Sequence, residues 1–121
     1  PESQIPLSPA VFHILLALTD EERHGYGIMQ EVKRHTHGQM RLGPGTLYGA
    51  IKRLLKNQVI EEVGDRLVPE LNEERRRYYR LTDFGLRVLH LDVARLNQMV
   101  QQACKKALFP SYTLSPENGG A

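Results

Sequence analysis

The chain has 121 residues and a hydrophobic content of 40%, which suits one compact domain with a modest core and is too little for two independent domains. Its longest apolar run, Ile14 to Leu18, is far shorter than the ~20 residues that cross a bilayer, and the N-terminal residues lack the pattern of a secretory signal. We therefore expect a cytoplasmic protein without membrane contact. The single cysteine, Cys104, excludes an internal disulfide and a cysteine-rich zinc site, so we predict no metal and no cofactor.

The distribution of charge is more informative than its sum. The net charge of +2 is by itself a weak indication of nucleic-acid binding. Between Gln39 and Arg80, however, nine basic residues stand against six acidic ones. The basic residues form two clusters, one in a predicted helix and one in a predicted strand.

The first part of the chain predicts two helices. One runs from about Pro9 to Thr19 behind Ser8 as N-cap, and its apolar residues surround most of its circumference, so we expect it to be the central buried helix. Residues 20–23 are predicted to form a solvated turn. The second helix runs from about Gly25 to His37 and is expected to end at Gly38. Its inward residues are predicted to be Tyr26, Ile28, Met29 and Val32, and its outward residues Gln30, Glu31, Lys33 and Arg34.

A third predicted helix, from Thr46 or just before it to about Asn57, has two contrasting faces. An apolar stripe follows the i, i+3, i+4, i+7 pattern and consists of Leu47, Ala50, Ile51, Leu54 and Leu55. The opposite face starts with small residues and becomes basic: Gly45, Gly49, Lys52, Arg53 and Lys56. Tyr48 lies at the edge of this basic face. One apolar stripe and an opposite cationic face are what a DNA-reading helix needs, and an ordinary solvated surface is the alternative.

A hairpin is predicted after the third helix. Val59 to Val63 and Arg75 to Leu81 have strand character, and residues 64–74 form a polar connection between them. Such a concentration of arginine is costly unless it meets anions, and phosphates are the expected ones for Arg75, Arg76 and Arg77. The alternative is that Arg77 or Arg80 pairs with Glu61 or Glu62 across the hairpin.

A long fourth helix is predicted from Asp83 to about Leu108, with Thr82 as N-cap, and would be roughly 39 Å long at about 1.5 Å per residue. Apolar residues recur along it in alternating steps of three and four: Leu86, Leu89, Val93, Leu96, Val100 and Ala103. This spacing is typical of a helix that packs lengthwise on another helix. We therefore predict a homodimer related by a two-fold axis, and the alternative is that the helix folds back onto its own domain.

The order of three helices, a hairpin and a further helix predicts a mainly helical α+β fold of the winged helix-turn-helix type. We expect a DNA-binding domain over residues 7–81, a dimerisation helix over residues 82–109 and a disordered tail over residues 110–121. In this fold the third helix enters the major groove and the hairpin, or wing, contacts phosphates. Base contacts are predicted for Thr46, Lys52 and Arg53, and phosphate contacts for Tyr48, Lys56, Arg75, Arg76 and Arg77.

Several fragments between residues 7 and 85 resemble the PadR family of bacterial transcriptional regulators. They are Leu15-Leu16-Ala17-Leu18, His24-Gly25-Tyr26-Gly27-Ile28, Gly45-Thr46-Leu47-Tyr48 with Ile51, Arg53 and Leu54, and Arg77-Tyr78-Tyr79-Arg80-Leu81-Thr82 with Gly85. The resemblance implies a repressor that binds double-stranded DNA at a palindromic operator. It also implies that Thr46, Leu47 and Tyr48 begin the DNA-reading helix and that the wing arginines grip the DNA backbone.

Some short members of this family bind a flat aromatic effector at the dimer interface, in a pore lined partly by tryptophan. This sequence has no tryptophan, so the existence of a small-molecule effector stays open. The residues that the resemblance loosely suggests as a lining are Phe12, His13, Leu89, Val93 and Leu96.

Other functions find less support in the sequence. A winged-helix module that binds a protein partner is the main alternative, but it would more often carry aromatic or aliphatic anchors than cations on its outer face. His24, His35 and His37 raise the idea of a metal sensor, although His35 and His37 point to different sides of a helix. No catalytic set and no lysine-containing phosphate loop is present, so we do not expect an enzyme.

Overall fold

A computed structural model describes residues 2–68 and 74–108, with side chains described outside residues 65–76. The elements in chain order are a short 3-10 helix Glu2–Gln4, α1 Pro9–Ala17, β1 Arg23–His24, α2 Gly25–His35, α3 Pro44–Lys56, β2 Ile60–Val68, β3 Glu74–Leu81 and α4 Asp83–Lys105. The predicted disordered tail, residues 110–121, lies outside the described residues. Within the described part, no helix combines the length and apolar content that a membrane crossing needs.

Helix α1 starts where the sequence predicts and ends two residues early. The Val11 amide donates a 3.2 Å hydrogen bond to Ser8 Oγ, which confirms Ser8 as N-cap, and Pro9 takes the first helical position. At the other end the amides of Leu18 and Thr19 donate to carbonyls three residues back, those of Leu15 and Leu16. This tightening of the last turn ends α1 at Ala17.

The solvated turn predicted at residues 20–23 is partly wrong, because its end forms a third strand. Strand β1 pairs antiparallel with β3, with Arg23 opposite Tyr79 and His24 opposite Tyr78. The sheet is therefore three-stranded in the order β1-β3-β2. A strand of two residues is too short to show an alternating pattern, so it could not be predicted from periodicity.

Helix α2 ends at His35, before the Gly38 at which the sequence predicted its end. His37, with φ of 52°, and Gly38, with φ of 80°, both adopt left-handed backbone conformations. The Gly38 amide donates to the Lys33 carbonyl at 2.7 Å, which closes the helix end. The Thr36 hydroxyl also accepts a 3.0 Å hydrogen bond from the Met40 amide, so the turn toward α3 is fixed by side-chain and backbone bonds.

Helix α3 begins at Pro44, two residues before the predicted Thr46, with Gly43 as N-cap. Proline suits this first position because its fixed φ is already helical and its missing N–H is not needed there. The Val59 amide donates to the Leu54 carbonyl at 2.9 Å past Gln58, which has a left-handed φ of 60°. The chain thus turns directly from α3 into the sheet.

The strands of the wing are longer than predicted. Strand β2 continues through residues 64–68, and β3 begins at Glu74, both within the segment predicted to be a polar connection. Strands β2 and β3 pair antiparallel, with Glu61 opposite Arg80, Glu62 opposite Tyr79 and Asp65 opposite Arg77. The register shifts between Glu62 and Asp65, where Gly64 has a φ of 108° that favours glycine.

The core joins α1, α2 and α3 to the sheet and to the beginning of α4. Its buried hydrophobic residues are Ile14, Leu15, Ala17, Leu18, Ile28, Val32, Leu47, Ala50, Ile51, Leu54, Val59, Ile60, Tyr79 and Leu89. The prediction that α1 is the central buried helix agrees with its three fully buried residues, Ile14, Leu15 and Ala17.

Helix α4 is capped as predicted, since the Gly85 amide donates to Thr82 Oγ1 at 2.9 Å. It ends at Lys105, a little before the predicted end. The chain divides into two compact units between Leu91 and Asp92, so α4 begins in the first unit and ends in the second.

Candidate nucleic-acid interface

Helix α3 separates its apolar and basic residues onto opposite faces. Leu47, Ala50, Ile51 and Leu54 are buried in the core. Thr46, Lys52, Arg53 and Lys56 are exposed. Because the apolar stripe anchors the helix, the cations of its second half face solvent.

The charges of the three cations on this face are not neutralised by any side chain in the described part of the chain. Lys52, Arg53 and Lys56 form no ion pair with any side chain that the structure describes. Gly43 and Gly45, at the start of α3, border open space, so a Cβ at either position would touch nothing within 4 Å. The start of α3 therefore leaves its backbone accessible, and the side chains farther along the helix are cationic. This combination suits close approach by a nucleic acid, whose phosphates are anionic.

Tyr48 lies on the same stripe as Lys52 and Lys56, since the three are four residues apart. Tyr48 is 46% exposed, but its hydroxyl end packs on the first residue of α2, Gly25. The exposed ring is thus held against α2 rather than projecting freely.

The wing arginines that the structure describes differ in availability. Arg80 Nε donates to Glu61 Oε2 at 2.7 Å, and its NH1 lies 3.6 Å from Glu22 Oε2, so this guanidinium is neutralised within the protein. Arg77 is 72% exposed and contacts Glu62 at 3.7 Å. The predicted alternative of ion pairs across the hairpin is therefore confirmed. The pair of Arg80 with Glu61 is close, and the pair of Arg77 with Glu62 is longer and more exposed.

The backbones of Arg75 and Arg76 lie in β3, opposite Leu67 and Arg66. Their side chains are outside the described residues, so their predicted phosphate contacts stay predictions.

The predicted seam of α4 is divided by burial. In the first compact unit Leu89 is 4% exposed and belongs to the core, whereas Leu86 is 42% exposed. In the second unit Val93 and Val100 are exposed, with Met99 beside them, and Leu96 and Ala103 are half-buried. Of the residues suggested as an effector lining, Phe12 and His13 are also half-buried.

An ion-pair cluster around Glu31 was missed by the sequence prediction, which placed this residue outward. The Glu31 side chain is 7% exposed and lies between Arg23 and Arg34, with His35 Nε2 at 2.8 Å from its Oε2. The hydrogen bond from Arg34 is the main cause that lowers the pKa of Glu31, and it outweighs the opposing effect of burial. Arg23 also donates from Nε to the Ala17 carbonyl at 2.7 Å, so the cluster ties the end of α1 to α2.

The predicted inward position of Tyr26 is wrong, since it is 43% exposed. Its ring stacks on the imidazole of His24, which caps α2 by accepting a 3.1 Å hydrogen bond from the Gly27 amide at Nδ1. Among the side chains that the structure describes, no three of the types His, Cys, Asp and Glu are grouped so as to hold a metal ion.

Comparison with known proteins identifies the family. The family model described as "Transcriptional regulator PadR-like family" matches residues 14–91. An uncharacterized protein of Lysinibacillus sphaericus is 36% identical over 73 residues, 60% of this chain and 63% of that protein, which is less than two thirds of its length. The transcriptional regulator Rv3488 of Mycobacterium tuberculosis is 33% identical over 90 residues, 74% of this chain and 78% of that protein.

Solved structures agree on the fold. A transcriptional regulator from Clostridium thermocellum has a TM-score of 0.64 at 26% identity, covering 78% of this chain and 88% of the other. Bacillus subtilis PadR, solved in complex with operator DNA, has a TM-score of 0.59 at 24% identity, covering 70% of this chain and 46% of the other. The predicted α+β winged helix-turn-helix fold with a long C-terminal helix is thereby confirmed. The chain belongs to the PadR-like family of transcriptional regulators.

Proposed function

We propose that this protein is a repressor that binds a palindromic operator as a homodimer, with one α3 helix in each half-site. The observation that carries the proposal is the basic face of α3, where Lys52, Arg53 and Lys56 are exposed without internal partners among the described side chains. Three unneutralised cations on one anchored helix are favourable when they meet phosphates and base edges. The PadR relative solved with operator DNA supports the same use of the fold.

Each residue of the face has a distinct part in this proposal. Thr46, at the helix start, and Arg53 and Lys52, in its middle, contact base edges in the major groove. Tyr48 and Lys56 hold phosphates, and the wing contributes Arg77 with Arg75 and Arg76. Arg80 has a structural role, because Glu61 and Glu22 already neutralise it.

The dimer is proposed from the apolar residues of α4. We assign DNA binding to residues 7–81 and dimerisation to residues 82–109, with Leu86, Val93 and Val100 as the exposed contacts. An exposed apolar stripe on a long helix is stabilised when a second copy covers it. Two-fold symmetry of the protein then requires two-fold symmetry of the operator, and the site of action is the cytoplasm, where bacterial DNA lies.

Selection of bound duplexes from a random pool tests the proposal. We expect a two-fold-symmetric motif whose half-sites are about one helical turn of DNA apart, roughly ten base pairs. A transcription assay on a promoter that carries the recovered motif should then show less transcript when the protein is added. Recovery of no motif, or of a motif without symmetry, would contradict the proposal, and a rise in transcript would contradict the repressor assignment.

A further inference from the structure

The contact between Gly25 and Tyr48 joins the first residue of α2 to the basic face of α3. A Cβ built on Gly25 would lie 2.1 Å from the Tyr48 hydroxyl oxygen, 2.6 Å from its Cζ and 3.0 Å from its Cε1. Real Cβ atoms do not approach other atoms this closely, so the phenol ring occupies the volume that any side chain at position 25 would need. Gly25 itself is buried, so the surroundings leave no space for both the ring and a side chain at position 25.

The ring of Tyr48 is held although almost half of it is exposed. Gly25 lies against its hydroxyl end, so the ring of an α3 residue packs on the first residue of α2. A half-exposed tyrosine on a helix surface would otherwise choose among several rotamers, and each would carry its hydroxyl to a different place.

We infer that Gly25 is a positioning residue for DNA recognition: because it lacks a side chain, the hydroxyl end of Tyr48 seats against the start of α2, and this fixes the position of the hydroxyl at the edge of the basic face. The inference rests on the proposed function of α3. A hydroxyl that is already in place loses less conformational entropy when it binds a phosphate than one that must first be ordered.

A matched control exists two residues along the same helix. A Cβ on Gly27 would meet His24 Cε1 at 3.5 Å and Arg23 Cβ at 3.7 Å, which are ordinary contacts. Neither Gly25 nor Gly27 has a positive φ, so alanine suits the backbone at both positions and raises helix propensity equally. Gly25→Ala and Gly27→Ala therefore differ in whether the Tyr48 ring must move.

The test measures affinity for the duplex that the wild-type protein selects from the random pool. Gly25→Ala and Tyr48→Ala should each weaken binding by about fivefold to tenfold, while Gly27→Ala should stay within about twofold of wild type. The double variant Gly25→Ala/Tyr48→Ala should bind no more weakly than Tyr48→Ala alone, because the two changes remove the same interaction. In protein with ¹³C-labelled tyrosine, the ring signal that Tyr48→Phe removes should shift in Gly25→Ala and stay in place in Gly27→Ala.

Three results would overturn the inference, and they are distinguishable. Wild-type affinity of Gly25→Ala, with wild-type protein binding normally, would refute the positioning role and leave the proposed function intact. An equal further loss in the Tyr48→Ala background would show that Gly25 acts through the backbone. Absence of any salt-dependent binding by the wild-type protein would refute the proposed function itself, and the inference with it.

Discussion

Glu31 shows how one buried carboxylate can link two helices. It lies on the face of α2 that also carries Ile28 and Val32, between the guanidinium groups of Arg23 and Arg34. Because glutamate is charged, the sequence predicted an outward position for Glu31. Its spacing of three residues from Ile28, however, places it beside that buried residue on the helix surface. The spacing of Arg34 and His35 along α2 is compatible with their ion pairs to Glu31, but the burial of Glu31 and its pair with Arg23 could not be predicted, because Arg23 reaches across from β1.

Replacement of Glu31 by glutamine should lower stability in a pH-dependent way. The folded state lowers the pKa of Glu31, chiefly through the hydrogen bond from Arg34, so the carboxylate stabilises the fold above its ordinary pKa near 4.5. That contribution is lost as the pH falls through the lowered folded pKa. We expect Glu31→Gln to lose about 2 kcal/mol of unfolding free energy at pH 7 and to differ less from wild type in acid.

Urea unfolding at a series of pH values measures this effect, and Glu21→Gln is the control. Glu21 also contacts Arg23, at 3.1 Å, but its side chain is 63% exposed, so its removal should have little effect. Equal losses in the two variants at pH 7 would contradict the role assigned to burial of Glu31.

Elements that bury an apolar face could be predicted from the sequence more completely than elements that are exposed on both faces. Helices α1, α2 and α3 carry apolar residues at helical spacing, and their existence could be predicted with ends within a few residues. The hairpin could also be predicted, and β3 almost to its ends, but residues 64–68 continue β2 although their polar sequence, without apolar alternation, predicts a connection. The basic face of α3 could be predicted in full, whereas its bracing by Gly25 depends on a contact between separate helices.

The start of α4 should tolerate no side chain at Gly85. A Cβ there would lie 1.9 Å from the Val59 carbonyl oxygen, which already accepts from the Thr82 amide and hydroxyl at 3.1 Å each. Because backbone cannot yield as a side-chain end can, we expect Gly85→Ala to cost about 2 kcal/mol or more of unfolding free energy.

Gly49→Ala is the matched control for Gly85→Ala in the same denaturation experiment. Its Cβ would meet at nearest the flexible end of Arg53, at 3.7 Å, so it should gain about 0.5–1 kcal/mol from helix propensity. A neutral Gly85→Ala variant would show that the close approach of α4 to Val59 is not a constraint.

On the wing, Glu62 should act as an internal competitor for Arg77. Their contact at 3.7 Å leaves Arg77 72% exposed, and a phosphate could displace the carboxylate. Glu62→Gln should therefore raise DNA affinity and steepen its salt dependence by up to about one unit of slope, as one more phosphate contact becomes available.

Fluorescence anisotropy at several salt concentrations measures both quantities for Glu62→Gln. The same substitution in an Arg77→Ala background controls for loss of negative charge alone. Equal gains in the two backgrounds would refute competition for Arg77.

At the scale of the whole molecule, the order of elements was enough to predict the winged-helix fold, because few arrangements bury three such helices against a hairpin. The dimer stays a prediction. Its support is the exposed apolar side chains of α4, of which Val93 is 45% and Val100 is 44% exposed. Leu89, by contrast, is buried in the core of its own domain. The apolar spacing along α4 therefore did not distinguish residues that pack within the chain from residues that are free to contact a second copy.

A charge within the exposed stripe should separate the subunits. Val93→Asp should sediment as a monomer, because an aspartate would be desolvated between two apolar helices. Gln102→Glu, at an exposed position on the opposite face of α4, should stay dimeric. A dimer in both variants would place the interface elsewhere.

If the basic face of α3 binds DNA, removing its positive charges must change both the affinity and its salt dependence. We would compare the wild-type protein with the variant Lys52→Gln/Arg53→Gln/Lys56→Gln, using the duplex selected by the wild type and titrations at several salt concentrations. We predict much weaker binding by the variant, because the base contacts of Lys52 and Arg53 are lost, and a logarithmic salt slope that is shallower by about one unit, because Lys56 no longer neutralises a phosphate. An unchanged affinity and slope, in a variant that unfolds like the wild type, would contradict the account.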